Sequence, residues 1–178
     1  MTDQLSAKDW LDQGLRTLAA SGFTALKAES LAKAMGVSRG SFYWHFADLS
    51  GFHSALLKHW REIAAEQIIA DLEAASDKDE RLPLLLKRVF SGKPALENAV
   101  RTWATVHPAA RSAVQAIDRR RLSYVEGLLR GYGLSPEIAR ARAQILYWAF
   151  LGFALSEKPL PQPAQQAIFE ELLRIAAR

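Results

Sequence analysis

The residue types that do covalent or metal chemistry are sparse in this chain. Its 178 residues include no cysteine and only four histidines, His45, His53, His59 and His107. A thiolate metal site, a disulfide framework and a cysteine nucleophile are therefore excluded. His53 and His59 are six residues apart, a spacing that puts them on different faces of a helix. No zinc-protease helix, phosphate-binding glycine loop or nucleophile elbow occurs. The sequence thus predicts no enzyme, no metal and no other cofactor. Chemistry of another kind is concentrated in Ser38-Arg39-Gly40-Ser41 and the aromatic run Phe42-Tyr43-Trp44-His45-Phe46. Guanidinium, phenol, imidazole and hydroxyl groups close together can bond to phosphate oxygens and base edges.

Charge supports a polyanionic partner only weakly. The formal net charge is +4. The first sixty residues hold six basic and five acidic side chains, so nothing electrostatic marks that end as a DNA-binding one. With 49% hydrophobic and 24% charged residues, the chain can bury a core. The N-terminus has no basic stretch leading into an apolar one, so no signal peptide is expected, and the cytoplasm is the expected location. The most apolar stretch, Ile145–Leu155, is too short to span a bilayer and reads as a buried helix.

These groups need elements to position them. Apolar residues recur at helical spacing nearly throughout, and strand-like alternation is absent, so an all-α chain of about nine helices is expected. The first runs from about Ser6 to Ser21, with Ser6 and Asp9 as a capping box and Trp10, Leu11, Leu15 and Leu18 facing inward. The second covers Ala28–Met35. The third is capped by Ser38 and ends near Phe46. The fourth starts behind Asp48 and continues toward Leu72. Residues 29–46 then read as a helix-turn-helix, two short helices packed steeply across a tight turn. Ala32 is small enough for the crossing, and Gly36 supplies the turn. Leu31, Met35, Val37, Phe42 and Phe46 anchor both helices to the core.

On the wheel of the third helix, Gly40, Ser41 and Trp44 point outward, with Tyr43 and His45 on the flanks. Arg39 leans sideways in the first turn, where a recognition helix reaches base edges, so it is the candidate for a bidentate guanine contact. Tyr43 and His45 are better placed for phosphate oxygens, and Gly40 allows close approach to the groove. An aromatic-rich helix segment is more often core than interface, but an outward tryptophan calls for a use.

The segment Gly22–Phe46, and above all Gly36-Val37-Ser38 followed by Phe42-Tyr43-Trp44-His45-Phe46, resembles the N-terminal domain of the TetR family of transcriptional regulators. The resemblance is specific over about residues 8–60. It implies an N-terminal three-helix DNA-binding domain, here residues 1–50, and a helical ligand-binding and dimerisation body, residues 51–178. It also implies a homodimer on a palindromic DNA operator, usually a repressor released by a small-molecule effector. Carried over, Arg39 takes a base-reading position, and Tyr43 and His45 take phosphate-contacting ones. Where the family often has a phosphate-contacting threonine before the second helix, this chain has Lys27, which can serve the same end. Where a lysine often starts the fourth helix, this chain has Ala47-Asp48-Leu49-Ser50, and Leu49 cannot make that contact. The backbone N–H groups behind Asp48 are the remaining donors there.

The body is predicted from Glu80 onward. Gly92-Lys93-Pro94 reads as a turn with proline in the first turn of the next helix, His107-Pro108 as a break, and Ser135-Pro136 as a helix start. Pro159, Pro161 and Pro163 read as a stiff connector before a last helix from about Ala164. The eighth helix is apolar almost all round, so one side needs a partner, and Gly152 permits close approach. In the family the last two helices pair across a two-fold axis, which suits half-sites about 34–36 Å apart. Candidate effector-pocket residues are Phe90, Trp103, His107, Tyr124, Tyr147 and Trp148, although aromatics at helical spacing are more often core. The competing reading is a helical protein–protein adaptor without DNA binding.

Overall fold

The computed structural model describes residues 5–74, 77–92, 94–156 and 161–177. Lys93 of the expected turn, Pro159 of the expected connector and residues 75–76 lie outside these. The described residues are helical, without strands, as the all-α reading requires. The elements are α1 (Ala7–Ser21), α2 (Ala28–Met35), α3 (Arg39–Tyr43), α4 (Leu49–Arg61), α5 (Gln67–Ala74), α6 (Arg81–Phe90), α7 (Ala95–Val106), α8 (Pro108–Gly131), α9 (Pro136–Leu155) and α10 (Gln162–Ala177). A π-helical turn, Glu62–Glu66, joins α4 to α5 without a break in helical backbone, so counted together they make nine helices over the described residues.

The best-placed boundaries are those with caps. Ser6 and Asp9 form the reciprocal capping box of α1. Asp48 Oδ1 accepts the Gly51 N–H at 2.7 Å and starts α4. The Ser135 hydroxyl accepts the Ile138 N–H ahead of Pro136 in α9. The prolines correct two expectations. Pro108 does not precede a helix but opens α8, and Pro163 lies inside the first turn of α10 rather than in a connector. Those positions have no intrahelical acceptor for an N–H, so proline costs nothing there. Pro94, expected within a first turn, stands just before α7.

The chain forms two compact units. One comprises Met1–Ile63 and Ala95–Gln115; the other comprises Ala64–Pro94 and Ala116–Arg178. In the first, α1 packs on α4 and α7. Gly14 lets α1 and α4 pack closely: a Cβ there would lie 2.7 Å from Phe52 Cζ and 2.8 Å from a Leu56 methyl. In the second, Leu82 and Leu86 of α6, Val125 and Leu129 of α8, Ala139, Ala143 and Leu146 of α9 and Leu172 of α10 share one core. Their spacings of three and four put each set on one helical face.

The π turn belongs to this second unit from Ala64 onward. A π turn leaves carbonyls without their usual α-helical partners. Arg121 answers this, donating from Nε and Nη2 to the Ala64 carbonyl at 3.3 and 3.1 Å while its guanidinium lies over the Phe150 ring. Arg120 bonds both carboxylate oxygens of Glu66. Thus two residues of the triple-arginine run hold the π turn. No helix among the described residues is long and apolar enough to cross a membrane.

Candidate nucleic-acid interface

The interface is built outward from Phe42. Its ring is fully buried, 5.4 Å from Trp10 of α1, 5.2 Å from Phe52 of α4 and 5.3 Å from Phe46. Edge-to-face arrangements of this kind fix orientation as well as burying area. Phe42 therefore sets the rotation of α3, and Leu31 and Ala32 seat α2 beneath it. Met35 and Val37, expected as anchors too, are only half-buried.

The turn between the helices has the expected geometry. Gly36 has φ +68°, in the left-handed region where a side chain is strained. The N–H groups of Gly36 and Val37 bond back to the carbonyls of α2, ending it. Ser38 then takes the extended conformation of a cap, but its hydroxyl bonds no backbone N–H. The Ser41 N–H instead bonds the Ser38 carbonyl at 3.0 Å.

The second helix is shorter than expected. It ends at Tyr43, and Trp44 and His45 form a turn. The cause is downstream: Phe46 turns into the core and Asp48 becomes extended, at φ −155° and ψ 178°, in order to cap α4. Trp44 itself stays near helical dihedrals and is 88% exposed, so its outward placement holds. Tyr43 is exposed, Gly40 is exposed beside it, and Ser41 and His45 are half-buried. Lys27 occupies the cap position of α2, exposed and in extended conformation.

Arg39 is not free on this surface. Its Nη2 donates to the Tyr43 phenol oxygen at 3.2 Å, and the guanidinium carbon lies 5.5 Å from that ring's centroid. This hydrogen bond, with smaller electrostatic help from Tyr43 and Glu29, raises the arginine's already high pKa. Sequence reading gave the two residues separate roles. Their i,i+4 spacing was the signal that they meet.

Two histidines brace the unit behind the interface. His59 Nε2 donates to Asp12 at 2.6 Å, joining α4 to α1, and Lys8 bonds the other oxygen of the same carboxylate. Burial works to raise the Asp12 pKa, but Lys8 and His59 outweigh it and hold the group below its ordinary value. His53 Nε2 donates to the Leu26 carbonyl at 3.3 Å, and its ring packs 5.2 Å from Trp103 and 6.2 Å from His107. Burial pushes the His53 pKa below 6.5; the Leu26 carbonyl opposes this, while His107 adds to it. The neutral form is thus favoured on folding. Stability should hold above about pH 6.5 and fall as acid protonates the unfolded chain more readily than the folded one. A pH series of thermal unfolding should show this slope, and His53→Gln should flatten it; an unchanged slope contradicts the assignment.

The six expected pocket residues are divided. Trp103 and His107 belong to the first unit, where Trp103 is fully buried and stacks on Phe23. Phe90, Tyr124, Tyr147 and Trp148 belong to the second. There Phe90 packs on Phe153, Tyr147 donates to Asp118 at 2.5 Å, and Tyr124 donates to Glu73. Burial and that carboxylate push the Tyr124 phenol up to about 12. Trp148 is 63% exposed.

The region just described, residues 11–48, matches the family model of bacterial regulatory proteins of the tetR family. The match covers the N-terminal helices α1 to α3 and reaches the cap of α4. No curated protein matches it significantly. Among solved structures, a TetR-family transcriptional regulator from Streptomyces coelicolor aligns at a TM-score of 0.72 with 20% identity, covering 97% of this chain and 96% of that one. The reduced form of Escherichia coli NemR aligns at 0.71 with 22% identity, covering 96% and 94%. The regulator FadR from Bacillus subtilis, in complex with stearoyl-CoA, aligns at 0.68 with 17% identity, covering 97% and 98%. At these identities the likeness is one of fold. It extends over almost the whole length of each aligned chain, beyond the N-terminal match.

Proposed function

We propose that this protein is a homodimeric, DNA-binding transcriptional regulator, a repressor that leaves a palindromic operator when a small molecule binds its body. The observation that carries the reading is α3 with the turn after it: Phe42 and Phe46 are anchored inward while Arg39, Tyr43 and Trp44 face out. In this reading Arg39 contacts base edges, and Lys27, Tyr43 and His45 contact phosphates. Ser38 and Ser41 add hydroxyl donors, Gly40 permits close approach, and Trp44 packs against the backbone of the groove. Residues 1–50 are the DNA-binding domain and 51–178 the body, and the protein works in the cytoplasm, where its DNA is.

The dimer rests on α9 and α10. Ile138, Ile145, Trp148 and Leu155 are exposed large apolar residues on α9, and Ala141 and Gly152 fall at the intervening positions of the same three-and-four repeat. Ile168 and Ile175 continue the apolar surface on α10. A second copy covers such a stripe by coiled-coil-like packing. Phe90, Tyr124 and Tyr147, which share the second unit, are the effector's candidate contacts, Trp148 being assigned to the dimer stripe, and the Bacillus subtilis relative, with stearoyl-CoA bound, supports an organic ligand class.

Arg39→Ala is expected to weaken binding roughly tenfold or more at one base pair of the operator and much less at the others. Band-shift titrations against single-base variants of the bound site measure this. Equal losses on every sequence would remove Arg39 from base reading.

A further inference from the structure

We infer that Tyr43 is a positioning residue that holds Arg39 for base reading, and so sets operator specificity besides gripping phosphate. The inference rests on the proposed DNA-binding role of α3. Arg39 and Tyr43 are one turn apart and meet twice, through the hydrogen bond from Nη2 to the phenol oxygen at 3.2 Å and through the guanidinium over the ring at 5.5 Å. No carboxylate among the described residues hydrogen-bonds or ion-pairs with Arg39, so nothing competes with the tyrosine for it.

The donor count allows both tasks at once. A guanidinium has five N–H donors in a planar fork, and one given to a phenol leaves a pair for the two acceptors of a guanine. The phenol oxygen accepts from Arg39, which leaves its own O–H free to donate to a phosphate. Binding must otherwise order a long, exposed arginine, and a neighbour that already restrains it lowers that entropic cost. The aromatic side of Tyr43 is fixed in turn by Phe42, 5.2 Å away in an edge-to-face arrangement. A phenylalanine keeps that packing, so Tyr43→Phe removes the hydroxyl alone.

The test begins with a randomised DNA duplex library from which the full-length wild-type protein selects its bound sequences. Wild type, Tyr43→Phe, Arg39→Ala and the double variant are then titrated by fluorescence anisotropy on the selected duplex and on its single-base variants. Tyr43→Phe should reduce the preference at the base pair read by Arg39 by about fivefold, a modest contact's worth on the scale of one decade per 1.4 kcal/mol. In the Arg39→Ala background, Tyr43→Phe should change no base preference further. A loss that is equal on all duplexes, and the same in both backgrounds, would make Tyr43 a phosphate ligand only and overturn the inference. If Arg39→Ala shows no base-specific loss, base reading by Arg39 fails and takes the inference with it. If the protein selects no duplex, the DNA-binding reading itself fails.

Discussion

Phe42→Ala is expected to destabilise the first unit by about 3–5 kcal/mol, as read by chemical denaturation, and to abolish DNA binding at temperatures where the wild type is folded. The magnitude follows from position. Phe42 is fully buried and contacts aromatic rings from α1, from α4 and from Phe46 just after α3. Truncation leaves a cavity lined by Trp10, Phe46 and Phe52, large rings with little freedom to collapse into it. The same ring sets the rotation of α3, so its loss releases the element that presents Arg39 and Tyr43. Phe42→Leu should cost less, because it fills part of the space. A cost below about 1 kcal/mol for the alanine variant contradicts the assignment of Phe42 as the anchor.

The second large effect concerns assembly. Trp148→Ala is expected to raise the dimer dissociation constant by about a thousandfold. A buried interface tryptophan contributes about 2 kcal/mol on truncation, and two-fold symmetry counts it twice. Trp148 is the most exposed large apolar residue on α9, and in isolation it would present its indole to water on an apolar stripe. Sedimentation equilibrium over a concentration series measures the change. The far-ultraviolet circular dichroism of the variant should stay helical, since Trp148 lies outside the shared core of its unit. An unchanged dissociation constant would remove Trp148 from the proposed dimer contact and count against the α9 stripe as the interface.

The sequence was legible where a local rule has a local cause. Ser6 with Asp9, Gly36, Asp48 and Ser135 with Pro136 each act within a few residues, and the helix boundaries they mark are found where expected. The inward and outward faces of α3 were legible for the same reason. The end of α3 was not, because it depends on Phe46 and Asp48 serving α4 rather than α3. The π turn was not either: nothing in Glu62–Glu66 announces it, and the arginines that hold it come from more than fifty residues away. His59 with Asp12 is likewise a long-range pair, 47 residues apart. Arg39 and Tyr43 are the instructive exception, since their spacing was visible and only the assignment of separate roles hid it. The aromatic pocket candidates show the limit of periodicity. Trp103 and Tyr147 are both buried, one stacked on a phenylalanine and the other bonded to an aspartate, and spacing cannot tell such neighbours from a ligand.

The first sixty residues carry almost no net charge, so DNA binding here must come from a few placed groups rather than a basic surface. That makes salt dependence the most direct test of the central claim. The measurement is the affinity of the full-length protein for its selected duplex across a salt series. Lys27, present twice in the proposed dimer, predicts a slope of log affinity against log salt of about −2 or steeper. A flat response, with affinity independent of salt, would contradict phosphate gripping by this surface.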